Sequence, residues 1–229
     1  MIVVLVVYTE LKIPNSNLLV MRIYEIIKIL NKRYRINVER ENPFDVLIGA
    51  VLSHRTKDEV SWPATERLLR KANTPDKISK LSEKEIVKII KPVGFYNQKA
   101  KRIVKICKTL LKVYDGKVPR TRKELMTLPG VGGKTADIVL SYSFGELVIP
   151  VDTHVAVVSK RLGLTENKEP EKIREDLHRL IKGKKRLIVN NLFVEFGKEI
   201  CQKRLPKCYT CPIVKSCPYE PKNLKIPLK

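Results

Sequence analysis

Seven residues, Leu128-Pro129-Gly130-Val131-Gly132-Gly133-Lys134, restrict what this chain can become more than any other stretch. Three glycines and a proline within five residues exclude the interior of a helix, because Gly loses the most backbone entropy on ordering and Pro has no N–H to donate. They suit a sharp turn whose bare N–H groups come close to a ligand. Both flanks read as helix. Thr121-Arg122-Lys123-Glu124 has the spacing of a capping box. Past Lys134, the apolar Ile138, Val139 and Tyr142 suit a helix packed along one side. Helix, glycine hairpin and helix together form an anion cradle, since N–H groups at a helix start attract phosphate. Gly130, Gly132 and Gly133 are the candidate phosphate contacts, and Lys134 opens the second helix. Val151-Asp152-Thr153-His154 follows, with Asp152 eighteen residues after the lysine and placed to cap another helix that carries Val155, Val158 and Leu162.

The rest of the chain is helical in pattern, with no strand ladder and no internal repeat, so the fold class is all-α. Ile23, Ile26, Ile27 and Leu30 define an amphipathic helix that Met21 directly precedes. Asn42-Pro43 opens a helix that is apolar nearly all round, hence central and buried. A basic helix over 55–72 is expected to break or kink at Pro63. Short helices follow over 75–81 and 83–90, the second capped by Ser82 with Glu85. The cleanest amphipathic pattern runs over 97–114, with Cys107 on its apolar stripe as an inert core residue, and Gly116 stops it. Two more helices are expected over 170–182 and 185–200.

The chain has 229 residues and a formal charge of +22, with the positive residues spread along its length. Singly, each lysine reads as a solvated surface group. An excess this large points to an anionic partner, most simply nucleic acid. A membrane surface fits less well, because no helix pairs a basic face with one rich in Trp and Phe. One Trp and five Phe are too few for a platform that stacks single strands. The apolar run Met1-Ile2-Val3-Val4-Leu5-Val6-Val7-Tyr8 is too short to span a bilayer and lacks the marks of a signal peptide, so an intracellular place, cytoplasm or nucleoid, is expected. Four of the five cysteines, Cys201, Cys208, Cys211 and Cys217, crowd into a Cys-x6-Cys-x2-Cys-x5-Cys run. That crowding argues for metal over disulfides. Clustering alone leaves tetrahedral zinc and a cubane iron–sulfur cluster both open.

Taken together, Leu-Pro-Gly-Val-Gly-Gly-Lys, Val-Asp-Thr-His at its fixed distance and the four C-terminal cysteines resemble the endonuclease III branch of the helix-hairpin-helix DNA glycosylases, over roughly residues 20 to 220. The resemblance implies two lobes with the DNA cleft between them. A six-helix barrel over 39–149 would carry the hairpin, and residues 19–38 with 150–229 would form a cluster lobe. Residues 1–18 would be an extension outside the family pattern. It also implies a 4Fe–4S cluster on the four cysteines, duplex DNA containing damaged bases or abasic sites as partner, and a monomer.

The chemistry so implied rests on Lys134. A primary amine is a nucleophile only when neutral, and desolvation, nearby cations and a helix N-terminus all favour that form. Arg122 and Lys123 are the cations expected near it. A neutral amine attacks the sugar C1′, expels the base and leaves a Schiff base, after which β-elimination cuts the strand. The competing reading is a plain phosphate contact. Asp152 would stabilise charge at C1′ or take a proton, beside its duty as a cap, and His154 would support it. Lys203, Arg204 and Lys207 in the cysteine loop would meet phosphates. Two positions depart from the family. Arg55 stands where Gln is common, at the place that fills the gap left by an extruded base, and Phe95 stands where Leu is common, as an apolar wedge. Phosphate binding by Arg55 and core packing by Phe95 are the plainer alternatives. The function implied is a bifunctional glycosylase and abasic-site lyase for oxidised pyrimidines. A monofunctional mismatch glycosylase or a non-catalytic DNA-binding scaffold is the alternative, and Lys134 argues against the first.

Overall fold

The computed structural model describes residues 15–226, all helix, turn and loop, with no strand among them. The chain divides into two compact units, one of residues 38–150 and one that joins the chain before 38 to the chain from 151 onward.

The central unit is built around α2 (Pro43–Ser53). Asn42 caps it by accepting from the N–H groups of Phe44 and Asp45, and Pro43 occupies the first turn, where its missing donor costs nothing. Leu47, Ile48, Val51 and Leu52 are fully buried. Around α2 lie α3 (Asp58–Lys71), α4 (Pro75–Ser79), α5 (Glu83–Ile90), α6 (Tyr96–Val113), α7 (Arg122–Leu125) and α8 (Gly133–Val139). α6 packs on α4 and α5, and α2 touches α3, α6 and α8. The Ser82–Glu85 capping box is present in full. Cys107 is fully buried, and burial pushes its thiol up to about 12, so it is an inert core group as expected.

Three expectations need correction. The basic helix starts at Asp58 rather than near Arg55, and residues 54–57 form a turn. Pro63 lies inside that helix, which continues past it to Lys71, so the helix does not break there. After α8 the coil widens into a π-helical turn over Leu140–Phe144, ended by Gly145 at φ +70°. Periodicity of 3.6 gives no sign of that widening.

In the other unit α1 spans Asn15–Tyr34. It begins earlier than the expected start after Met21, because half-buried Leu18, Leu19 and Val20 extend its packed face. Met21 therefore lies within a helix, and the proposed extension 1–18 loses its last four residues to α1; the apolar run at its beginning lies outside the described residues. α9 (Thr153–Arg161), α10 (Pro170–Leu180) and α11 (Lys185–Glu199) complete the unit. α11 packs on α9 and α1 with Phe193 and Phe196 buried. Among the described residues no helix is long and apolar enough to cross a membrane.

Candidate functional site

The hairpin forms as its composition requires. Thr121 caps α7 by accepting from the Glu124 N–H, and the chain turns through Leu128–Gly132 into α8. Gly130 holds φ +74°, and the Arg102 side chain lies on it: a Cβ there would stand 2.2 Å from Nε. Any side chain there would strain the left-handed backbone and have to push the Arg102 side chain aside. Gly132 caps α8, and nothing lies within 4 Å of where its Cβ would be, so this face of the hairpin is open. Lys134 follows as the second residue of α8, exposed and without an ion pair among the described residues.

One of the two cations expected beside Lys134 is engaged elsewhere. Arg122 is turned away to Asp137, a carboxylate 2% exposed, which it reaches from Nε at 3.0 Å. Arg102, Lys99 and the ring of His54 share the neighbourhood instead. His54 Nε2 lies 3.0 Å from the Thr135 hydroxyl. Burial, and then Lys134, Arg102 and Lys99, push its imidazole down to about 4, so His54 is neutral at physiological pH. Lys99 and Arg102 both rise from α6, far from Lys134 in sequence, so no local pattern points to them.

The turn after α2 carries Arg55 at φ +50°, and the entry to α6 carries Phe95 at φ +57°. Left-handed backbone is rare for such side chains. Arg55 and Phe95 meet, with the guanidinium carbon 5.9 Å from the ring centre, and Phe95 is 54% exposed. Phe95 does not pack in the core.

Lys99, 3% exposed, underlies both turns. Its ammonium donates to the carbonyls of Leu52 (2.8 Å) and His54 (2.6 Å) and to the Thr56 hydroxyl (2.9 Å). Burial and then Arg102 push it down to about 8, while three oxygen acceptors at a helix C-terminus oppose that shift. A sequence signal existed: Lys99 stands at helical spacing from Ile103, Ile106 and Leu110, on the apolar stripe.

In the other unit, Asp152 caps α9. One carboxylate oxygen accepts from the Val155 N–H at 2.8 Å, and the other makes no hydrogen bond among the described residues. His154 lies against α11, where a Cβ on Gly197 would stand 2.8 Å from its Nδ1. The ring thus fixes α9 on α11, which supports Asp152 only through the backbone.

Cys201, Cys208, Cys211 and Cys217 line one cavity, floored by Phe196 and Ile200. No three Cys, His, Asp or Glu side chains among the described residues are grouped to hold a single metal ion. Arg161 fastens the loop, donating to the carbonyls of Cys201, Gln202 and Lys203 and to the Cys201 sulfur at 3.3 Å, and it lies over the Tyr219 ring. Lys203, Arg204 and Lys207 are exposed on the loop.

Residues 48–183 match the family described as HhH-GPD superfamily base excision DNA repair protein. Over 197 residues the chain is 39% identical to Endonuclease III of Thermotoga maritima, covering 86% of this chain and 92% of that protein. Among solved structures it resembles a trapped Endonuclease III–DNA covalent intermediate, with TM-score 0.80, 35% identity and coverage of 87% and 95%. A thermostable thymine-DNA glycosylase is also similar, with TM-score 0.78, 28% identity and coverage of 89% and 95%.

Proposed function

Because this chain belongs to the HhH-GPD superfamily of base excision DNA repair proteins, we propose that Lys134 is its nucleophile and oxidised pyrimidines in duplex DNA are its substrates. The enzyme is a bifunctional DNA glycosylase and abasic-site lyase. One observation carries the assignment of Lys134. Its amine is exposed, unpaired among the described residues and fixed at a helix start beside the open face of the glycine hairpin.

The target base must leave the stack before the glycosidic bond is accessible. Phosphates flanking the extruded nucleotide lie on the N–H groups of the hairpin, around Gly130, Gly132 and Gly133. Arg55 and Phe95 enter the duplex as a guanidinium and an aromatic wedge, filling the space the base has left. The Lys134 Nζ then attacks C1′, and the C1′–N bond breaks with its electron pair leaving on the base, which takes up a proton. The amine loses its protons as the sugar ring opens to a Schiff base. Removal of a proton from C2′ expels the 3′ phosphate oxygen and cuts the strand. Asp152, anchored through one oxygen, offers the other to the positive charge that develops at C1′. His154 holds the helix that Asp152 caps.

The four cysteines suit a 4Fe–4S cluster. A tetrahedral zinc requires sulfurs about 2.3 Å from one ion. Four thiols lining one cavity, backed by the apolar Phe196 and Ile200, suit a thiolate-held iron–sulfur group. When bound, the cluster would supply structure to a loop that has little core of its own. The loop's exposed Lys203, Arg204 and Lys207 would contact phosphates. A place beside the chromosome, in cytoplasm or nucleoid, follows from the substrate, and one chain suffices for every role named.

Borohydride reduction on a duplex with one abasic site tests the nucleophile. The wild type should become covalently attached to the DNA, while Lys134→Gln should lose trapping and strand cleavage but keep DNA binding within about threefold, since one charge of many is removed. Undiminished trapping by Lys134→Gln would refute the assignment.

A further inference from the structure

The turn bearing Arg55 and the turn bearing Phe95 come from different helices, yet one buried group underlies both. Lys99 Nζ donates to His54 O and Leu52 O, the carbonyls around the end of α2, and to the Thr56 hydroxyl. That hydroxyl donates on to His54 O and accepts from the N–H of Gly94 at 3.2 Å, the residue directly before Phe95. Gly94 permits the approach: a Cβ there would lie 3.1 Å from the Arg55 carbonyl and 3.3 Å from the Thr56 hydroxyl. Lys99 itself rises from the first turn of α6, and its own N–H donates to the Phe95 carbonyl at 3.0 Å. On the far side, His54 Nε2 meets the hydroxyl of Thr135, the neighbour of Lys134. A continuous set of hydrogen bonds therefore runs from Phe95 through Thr56 and Lys99 to His54 and onto the helix of the nucleophile.

We infer that Lys99, acting through Thr56, is a positioning residue that locks Arg55 and Phe95 into one two-pronged wedge held in register with the helix of Lys134. The inference rests on the proposed insertion of Arg55 and Phe95 beside the extruded base. Neither Lys99 nor Thr56 reaches the reacting atoms. Their contribution is to keep two side chains from separate helices at one spacing, so that they enter the duplex together. The energy of extrusion is large for a paired base and small for one without a partner. A wedge that is loosened should therefore fail selectively on paired lesions.

Thr56→Val removes the bridging hydroxyl at nearly constant volume and leaves the ammonium its two carbonyl acceptors, so it folds even where Lys99→Met does not. The assay is single-turnover excision of a 5,6-saturated thymine in three settings: opposite adenine, opposite a one-nucleotide gap, and in a single strand. Thr56→Val should slow the paired substrate roughly tenfold and the other two by less than about twofold, and Thr56→Ser should restore the paired rate. Cleavage of a preformed abasic site in a single strand should stay within about twofold of wild type. In the double variant with Phe95→Ala, the paired rate should be no lower than that of the slower single variant, because Thr56 acts through Phe95. Equal slowing on all three substrates, or rate losses that multiply in the double variant, would overturn the inference. The two levels separate cleanly. Phe95→Ala with an unchanged paired rate removes the wedge and the brace with it. A slow Phe95→Ala beside a Thr56→Val of wild-type rate removes the brace alone.

Discussion

His54 provides a quantitative test of the electrostatics around Lys134. Its ring is partly buried against Thr135, and burial, Lys134, Arg102 and Lys99 together push the imidazole from 6.5 down to about 4. In the unfolded chain the same ring takes up its proton near pH 6.5. Between these values the unfolded state binds more protons than the folded one, so unfolding free energy rises with pH across the window. Stability is therefore complete above pH 6.5 and is lost as the pH falls through 6.5 toward 4. The gap corresponds to roughly 3 kcal/mol at the limit, and solvent screening of a partly open ring reduces it to about 2 kcal/mol. His54→Gln replaces Nε2 with an amide that still meets the Thr135 hydroxyl but does not titrate. Denaturant unfolding at pH 7 and pH 4.5 should then show the variant losing about 2 kcal/mol less than wild type over that interval. Only three histidines are present, so the imidazole carbon resonance that disappears in His54→Gln identifies the site, and it should titrate near 4 in the wild type. A midpoint near 6.5, or parallel losses of stability, would refute the packing of Lys134, Arg102 and Lys99 around a neutral ring.

Binding to undamaged duplex should weaken log-linearly with salt, and Arg204→Ala or Lys207→Ala should flatten the slope by about one ion each without altering lesion preference; a slope equal to that of wild type would remove these residues from the interface. Arg122→Ala deprives a carboxylate 2% exposed of its guanidinium partner and should cost about 2–3 kcal/mol in unfolding measurements, while Asp137→Asn should cost less because no buried charge is left behind. Cys208→Ser should abolish a broad absorbance at roughly 400 nm and the iron and sulfide content, and should weaken DNA binding while the helices of the 38–150 unit persist. A colourless wild-type protein carrying one zinc would overturn the cluster.

What the sequence made legible was local. Asn42-Pro43, Ser82 with Glu85, Thr121 with Glu124 and Asp152 all cap the helices they were expected to cap, because a cap is a contact over two or three residues. Along α6, Ala100, Ile103, Val104, Cys107 and Leu110 are buried as their spacing implies, whereas Leu111 is exposed. The start of α1 is less legible, because the helical spacing is plain only from Ile23 onward, whereas Leu18, Leu19 and Val20 are consecutive and carry no period. Proximity in sequence points to Arg122 and Lys123 as the cations beside Lys134. Asp137, one turn into α8 and buried, claims Arg122 instead. Only packing reveals which of the basic residues stay free.

The residues that hold the site in shape escaped for a related reason. Lys99 bonds a carbonyl 47 positions away, Arg161 a sulfur 40 away, and His54 a hydroxyl 81 away. No pattern of period 3.6 records such a partner. Backbone strain explains why these braces are needed. Arg55 and Phe95 both sit at positive φ, a conformation costing on the order of 1–3 kcal/mol for each and kept only where the surroundings over-determine it. Either turn alone would relax toward ordinary backbone and draw its side chain off the exposed face. The three hydrogen bonds of one buried ammonium, relayed through Thr56 to Gly94, hold both at once. Burying that ammonium is itself unfavourable, and the same burial holds its pKa below the usual lysine range. A lysine on an apolar stripe therefore marks a place where the fold gives up stability to keep two exposed side chains in a strained and fixed arrangement.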